Sequence, residues 1–125
     1  MRIAIPFITL VLGFLFQPPV ALAASFDCAK AKQPAELLIC GVPALSKVDS
    51  QMGEIYRKNL AELAPSASQI YKDGQRDWLI YWPGLCANDA GKLDPKSDET
   101  VQCAKTEYAA RIATLKLQKR TVENL

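Results

Sequence analysis

Four cysteines, at positions 28, 40, 86 and 103, constrain this 125-residue chain more than any other feature. An even cysteine count in a short exported chain reads as a disulfide framework. Three pairings are possible. The local one, Cys28–Cys40 with Cys86–Cys103, is preferred because each bond closes a single loop between predicted helical pieces. Each closure is worth about 3 kcal/mol on the loop-entropy model. Zinc is the competing use of four thiols. It fails on spacing, since neither pair is C-x2-4-C and the chain contains no histidine.

Export is expected from the first 23 residues. Arg2 supplies a positive start, Ile3 to Phe16 is an uncharged apolar run, Gln17-Pro18-Pro19 interrupts it, and Ala21-Leu22-Ala23 is a small-x-small cleavage site. The run is short for a membrane span, so residues 1–23 are expected to be a removed signal peptide and 24–125 one small domain. Without Arg2 the chain has 14 basic and 13 acidic side chains, a net of +1. That balance argues against a nucleic-acid binder, which needs a clustered basic face. No long apolar segment remains, so no membrane association is expected after cleavage.

Helical periodicity dominates the rest. Pro34 suits the first position of a short helix, because its missing N–H would be unpaired there anyway, and Gly41 suits its end. Leu45, Val48, Met52, Ile55, Asn59 and Leu63 form an apolar stripe at three- and four-residue spacing, interrupted only by Asn59. A third helix is expected from the Pro65 to Ser68 break to about Trp82, with Ile70, Tyr71, Gly74, Trp78, Tyr81 and Trp82 inward, stopped by Pro83-Gly84. Val101, Ala104, Tyr108, Ile112 and Leu115 mark one face of a last helix beginning near Asp98. The expected fold is all-α: a small disulfide-stabilised bundle of three longer helices plus a short N-terminal one.

The absence of histidine removes the commonest general base, and paired cysteines are not nucleophiles. No catalytic residue, metal or cofactor is assigned. Asp49 stands beside the apolar stripe, where a lone carboxylate would be costly. It is expected to form an interhelical ion pair with Arg76 or Arg111. Between Cys86 and Cys103, turn formers predominate, and Asp89, Asp94, Asp98 and Glu99 outnumber Lys92 and Lys96 for a net of −2.

Phe26-Asp27-Cys28, Ala31, Glu36, Ile39-Cys40, Leu45-Ser46-Lys47-Val48-Asp49 and Tyr56 together resemble the opening signature of the LprI-like lysozyme inhibitor N-terminal domain family. Gln75-Arg76-Asp77-Trp78-Leu79 is similar to that family's Q-R-x-W-L segment, and Cys103, Tyr108, Arg111, Ile112 and Leu115 to its closing helix. Tyr81-Trp82-Pro83-Gly84-Leu85 departs from the charged stretch expected there. The resemblance implies a helical, disulfide-bonded, periplasmic or secreted domain that inhibits lysozyme or a related peptidoglycan hydrolase by occluding its cleft. The expected contact surface is the loop carrying Asp89, Lys92, Asp94, Lys96, Asp98 and Glu99. The alternative is a non-catalytic structural or interaction protein of the periplasm with no enzyme target.

Overall fold

A computed structural model describes residues 24–122, with Val122 as backbone alone. The expected signal peptide, residues 1–23, lies outside the described residues. A 3-10 turn at Cys28–Lys30 is followed by helices α1 (Pro34–Gly41), α2 (Pro43–Glu62), α3 (Pro65–Cys86) and α4 (Asp98–Val122), with no strand among the described residues. This is the disulfide-stabilised helical bundle the periodicity predicts.

Proline opens three of these helices at the first position, where its fixed φ is already helical and its lack of a donor costs nothing. The start of α1 is also capped by Glu36, whose carboxylate accepts the backbone N–H groups of Lys32 (2.9 Å) and Gln33 (3.1 Å). Those two bonds hold the Glu36 carboxyl below the ordinary glutamate value. Its capping contribution is therefore present above that ordinary value and fades as pH falls through the lowered one. Only Val42 separates α1 from α2. Ser46 Oγ donates to the Ile39 carbonyl at 2.6 Å, which satisfies one of the carbonyls left open at the end of α1.

Cys28 is bonded to Cys40, tying the 3-10 turn to the last turn of α1, and Cys86 is bonded to Cys103, tying the end of α3 to the first turns of α4. Leu38, Leu45, Met52, Tyr71, Trp82, Ala104, Tyr108 and Leu115 are buried in one core. Helix α4 lies in the middle, packed against both α2 and α3, which touch each other much less. Asn59, the polar member of the α2 stripe, is buried and donates to Tyr71 Oη at 3.1 Å. A polar group inside a core is tolerated when it is bonded in this way.

Helix α3 departs from expectation in two respects. It does not stop at Pro83-Gly84 but runs through them to Cys86. Proline removes one hydrogen bond and crowds the preceding turn, yet the last turn is held from beyond by buried Cys86 and its bond to Cys103. Its inward stripe is Ala67, Tyr71, Gln75, Trp78, Trp82 and Cys86, whereas Ile70 (54% exposed) and Tyr81 (59%) point to solvent. One residue along a helix is a rotation of about 100°, which carries each of these neighbours off the buried face.

Candidate functional site

Asp49 is 2% exposed and projects from α2 towards α4. The expected ion pair with Arg76 or Arg111 does not form. Oδ1 instead accepts the Tyr108 hydroxyl at 2.8 Å, and Oδ2 accepts the backbone N–H of Ser25 at 2.6 Å. Burial and the adjacent Asp49 carboxylate push the Tyr108 hydroxyl far above the usual phenol range, so it stays protonated as a donor. Arg76 is exposed and pairs with Asp73 at 3.0 Å within its own helix. Arg111 is buried but serves a different contact: its Nε donates to Gln75 Oε1 at 2.9 Å, and Gln75 Nε2 reaches Met52 Sδ at 3.6 Å. Burial lowers the Arg111 pKa, with the neighbouring Tyr71 and Tyr56 acting in the opposite direction. The physical reason for the correction is register. Tyr108 and Arg111 sit three residues apart on one face of α4, and it is the earlier turn that stands opposite Asp49.

Replacing Asp49 by alanine leaves the buried Tyr108 hydroxyl and the half-buried Ser25 N–H without an acceptor. The expected loss is about 3 kcal/mol, from two orphaned donors at roughly 1–3 kcal/mol each with partial relief by water. Denaturant unfolding checks this, and Asp49→Asn, which keeps one acceptor oxygen, should cost less than half as much.

The segment between α3 and α4 is more ordered than its turn-rich composition suggests. Asn88 Oδ1 accepts the N–H groups of Ala90 (3.0 Å) and Lys92 (2.9 Å), while Asn88 N–H donates to the Lys92 carbonyl at 2.9 Å. Gly91 completes this turn with φ +71°, a conformation that favours glycine. Further on, Asp94 Oδ1 accepts the Lys96 N–H at 2.9 Å, and Ser97 Oγ accepts the Thr100 N–H at 3.2 Å, capping α4. Leu93 is half-buried and packs against the core. With the Cys86–Cys103 bond at its base, the loop is fixed at both ends and in the middle.

Asp89, Lys92, Asp94, Lys96, Asp98 and Glu99 are all exposed. A cavity of about 230 Å³ is lined by Leu85, Asn88, Asp89, Ser97, Glu99 and Thr100. Of the six charged residues, Asp89 and Glu99 border it, and the other four lie outside its lining. Ile80 (73% exposed), Tyr81 and Leu85 (50%) stand on the adjoining end of α3. Exposed large apolar residues in one place mark interaction surfaces. Sequence periodicity did not mark Ile80 or Leu85 and read Tyr81 as inward, because the exposed side of α3 is itself apolar here and is told from the buried side only by packing.

Fold and loop together define a class: a small helical domain, covalently closed by two disulfides, presenting a rigid polar loop beside an apolar helix end. The chain belongs to the lysozyme inhibitor LprI family, whose model matches residues 28–118. The match begins at the first cysteine and takes in all four, together with the whole loop. No curated protein matches the chain, and no solved structure does. Among the described residues no group of three His, Cys, Asp or Glu could hold a metal ion, and no helix is long and apolar enough to cross a membrane.

Proposed function

We propose that this chain is a periplasmic or secreted inhibitor that binds a lysozyme-type peptidoglycan hydrolase and blocks its substrate cleft with the Cys86–Cys103 loop. Membership of the lysozyme inhibitor LprI family is the observation that carries the reading. The loop supports it in three ways. It is pre-ordered, so little conformational entropy is lost on binding. Its net charge of −2 suits a cationic wall hydrolase. The adjacent Tyr81 and Leu85 offer apolar surface of the kind that anchors interfaces. Glycosidases of this type act with two carboxylates across the scissile bond, and in this reading Lys92 or Lys96 of the exposed loop reaches them. The chain itself contributes no chemistry: inhibition is steric.

Purified protein with both disulfides intact should slow lysis of bacterial walls by a lysozyme at molar excess. Replacing Asp89, Asp94 and Asp98 by Asn together with Glu99 by Gln should slow association about tenfold at low salt, because complementary charge acts chiefly on the encounter rate. Above about 0.5 M salt, where screening shortens to a few Å, the difference should shrink. Equal inhibition by the neutral-loop variant would remove the loop from the interface. No slowing of any wall hydrolase would leave the chain as an interaction protein of the envelope.

A further inference from the structure

The first described residues pack on the core. Ala24 is 1% exposed and belongs to the central apolar cluster. Ser25 bonds Asp49 through its N–H and lies against α2 at Gly53, where an added Cβ would come within 2.6 Å of the Ser25 Cβ. Real Cβ atoms do not approach so closely, so a glycine is what lets the segment lie there. Asp49 receives two neutral donors, yet among the described residues no cation pairs with it. A carboxylate buried without countercharge is costly. The segment docked against this anion follows directly on Ala21-Leu22-Ala23.

We infer that Asp49 is the counter-ion of the chain's own α-ammonium group, created when the peptide bond between Ala23 and Ala24 is hydrolysed. The inference rests on residues 1–23 being a removable leader and is independent of the inhibitory function. Hydrolysis adds one water across the bond, leaving a carboxylate on Ala23 and an amine on Ala24 that takes up a proton at neutral pH. That nitrogen is three covalent bonds, less than about 4 Å, from the Ser25 nitrogen, which is itself 2.6 Å from Asp49 Oδ2. Cleavage thus places a positive charge beside a buried negative one, and the mature chain start becomes part of the fold.

The other groups at this corner are Tyr108 from α4, Tyr56 and Arg57 from α2, and Glu36 from α1. The two tyrosines are neutral. The Glu36 carboxylate is engaged by the Lys32 and Gln33 N–H groups. Arg57 is exposed and near Gly53, so it opposes the ammonium through a largely solvated charge, whereas Asp49 favours it through a buried one, where interaction is stronger. Asp49 acts to raise the α-amine above its unfolded value of about 7.7–8.0, against the burial of Ala24, which acts to lower it. A raised pKa gives stabilisation that is complete below the unfolded value and lost as pH rises through the folded one.

The test compares the mature chain beginning at Ala24 with a form retaining Ala23, each with wild-type Asp49 and with Asp49→Asn. Mass analysis of the exported protein first establishes its N-terminus. At pH 6 the mature wild type should melt about 5 °C above the extended form, a shift typical of a modest change in a domain of this size. The gap should close by about pH 10, beyond the range of a raised α-amine, and Asp49→Asn should remove it at every pH. NMR titration of the Ala24 amine should give a higher pKa in the wild type than in Asp49→Asn. A purely steric effect of the extra residue would be independent of pH and equal in both backgrounds, and would overturn the inference. An exported protein that starts elsewhere also overturns it, and the mass separates that failure from failure of the contact.

Discussion

Trp82→Ala should lower the stability of the folded protein by about 4 kcal/mol, the usual range for removing a large aromatic from a core. Trp82 is 1% exposed. Its ring lies 6.0 Å from Trp78 and 5.6 Å from Tyr108, and Trp78 meets Tyr108 edge-on at 5.0 Å with an interplanar angle of 89°. These three rings fasten α3 to α4, and Tyr108 is also the donor that satisfies Asp49. The variant therefore loses transfer energy, leaves a cavity and loosens a buried hydrogen bond. At about 4–8 °C per kcal/mol for a domain near 100 residues, the melting temperature should fall by roughly 15–30 °C. The adjacent Tyr81→Ala should change stability by no more than about 0.5 kcal/mol, because its side chain faces solvent. Similar melting temperatures for the two variants would contradict the packing described for α3.

Opening the two disulfides separately should dissociate stability from binding. The bonds close spans of 12 and 17 residues, and on the loop-entropy model both are worth about 3 kcal/mol, since the dependence on length is logarithmic. Cys28→Ser/Cys40→Ser and Cys86→Ser/Cys103→Ser should accordingly show comparable unfolding midpoints. Their effects on lysozyme should differ. The first pair frees the 3-10 turn from the end of α1 and leaves the base of the acidic loop closed. The second releases the base of the loop that presents Asp89 to Glu99, so binding must then bear the cost of ordering it. We expect the Cys86/Cys103 variant to inhibit at least tenfold less well, measured at a temperature where both variants remain folded. Equal inhibition by the two would show that loop order is irrelevant to the partner.

Much of the architecture was legible in local patterns. Pro34 at the head of α1, the stripe through Leu45, Met52 and Asn59, and the apolar face of Ala104, Tyr108 and Leu115 are all short-range features, and these helices appear where they indicate. The Asp49 contact was not legible. Its burial followed from its place beside the stripe, but its partners are 24 and 59 residues away in sequence, and a carboxylate satisfied by a tyrosine and a backbone N–H leaves no charge pattern to read. The path of α3 through Pro83 was hidden because Pro83-Gly84 reads locally as a helix stop, and the burial of Cys86 at the end of the added turn is set by packing.

The candidate site divides along the same line. The composition between the second pair of cysteines marked a surface loop and supplied its charges. The Asn88 and Ser97 bonds that hold it, and the exposure of Ile80, Tyr81 and Leu85 beside it, depend on how α3 rotates against α4.

The sequence by itself determined the helical class, the approximate position of each helix and the chemical character of the loop, because helix periodicity, caps and turn propensities act over a few neighbouring residues. Tertiary structure decided which member of each pair faces inward, Trp82 or Tyr81, and which residue of α4 answers Asp49, Tyr108 or Arg111. Both choices turn on helix rotation. A change of one residue in register swings a side chain by about 100°, and only the joint packing of three helices sets that angle.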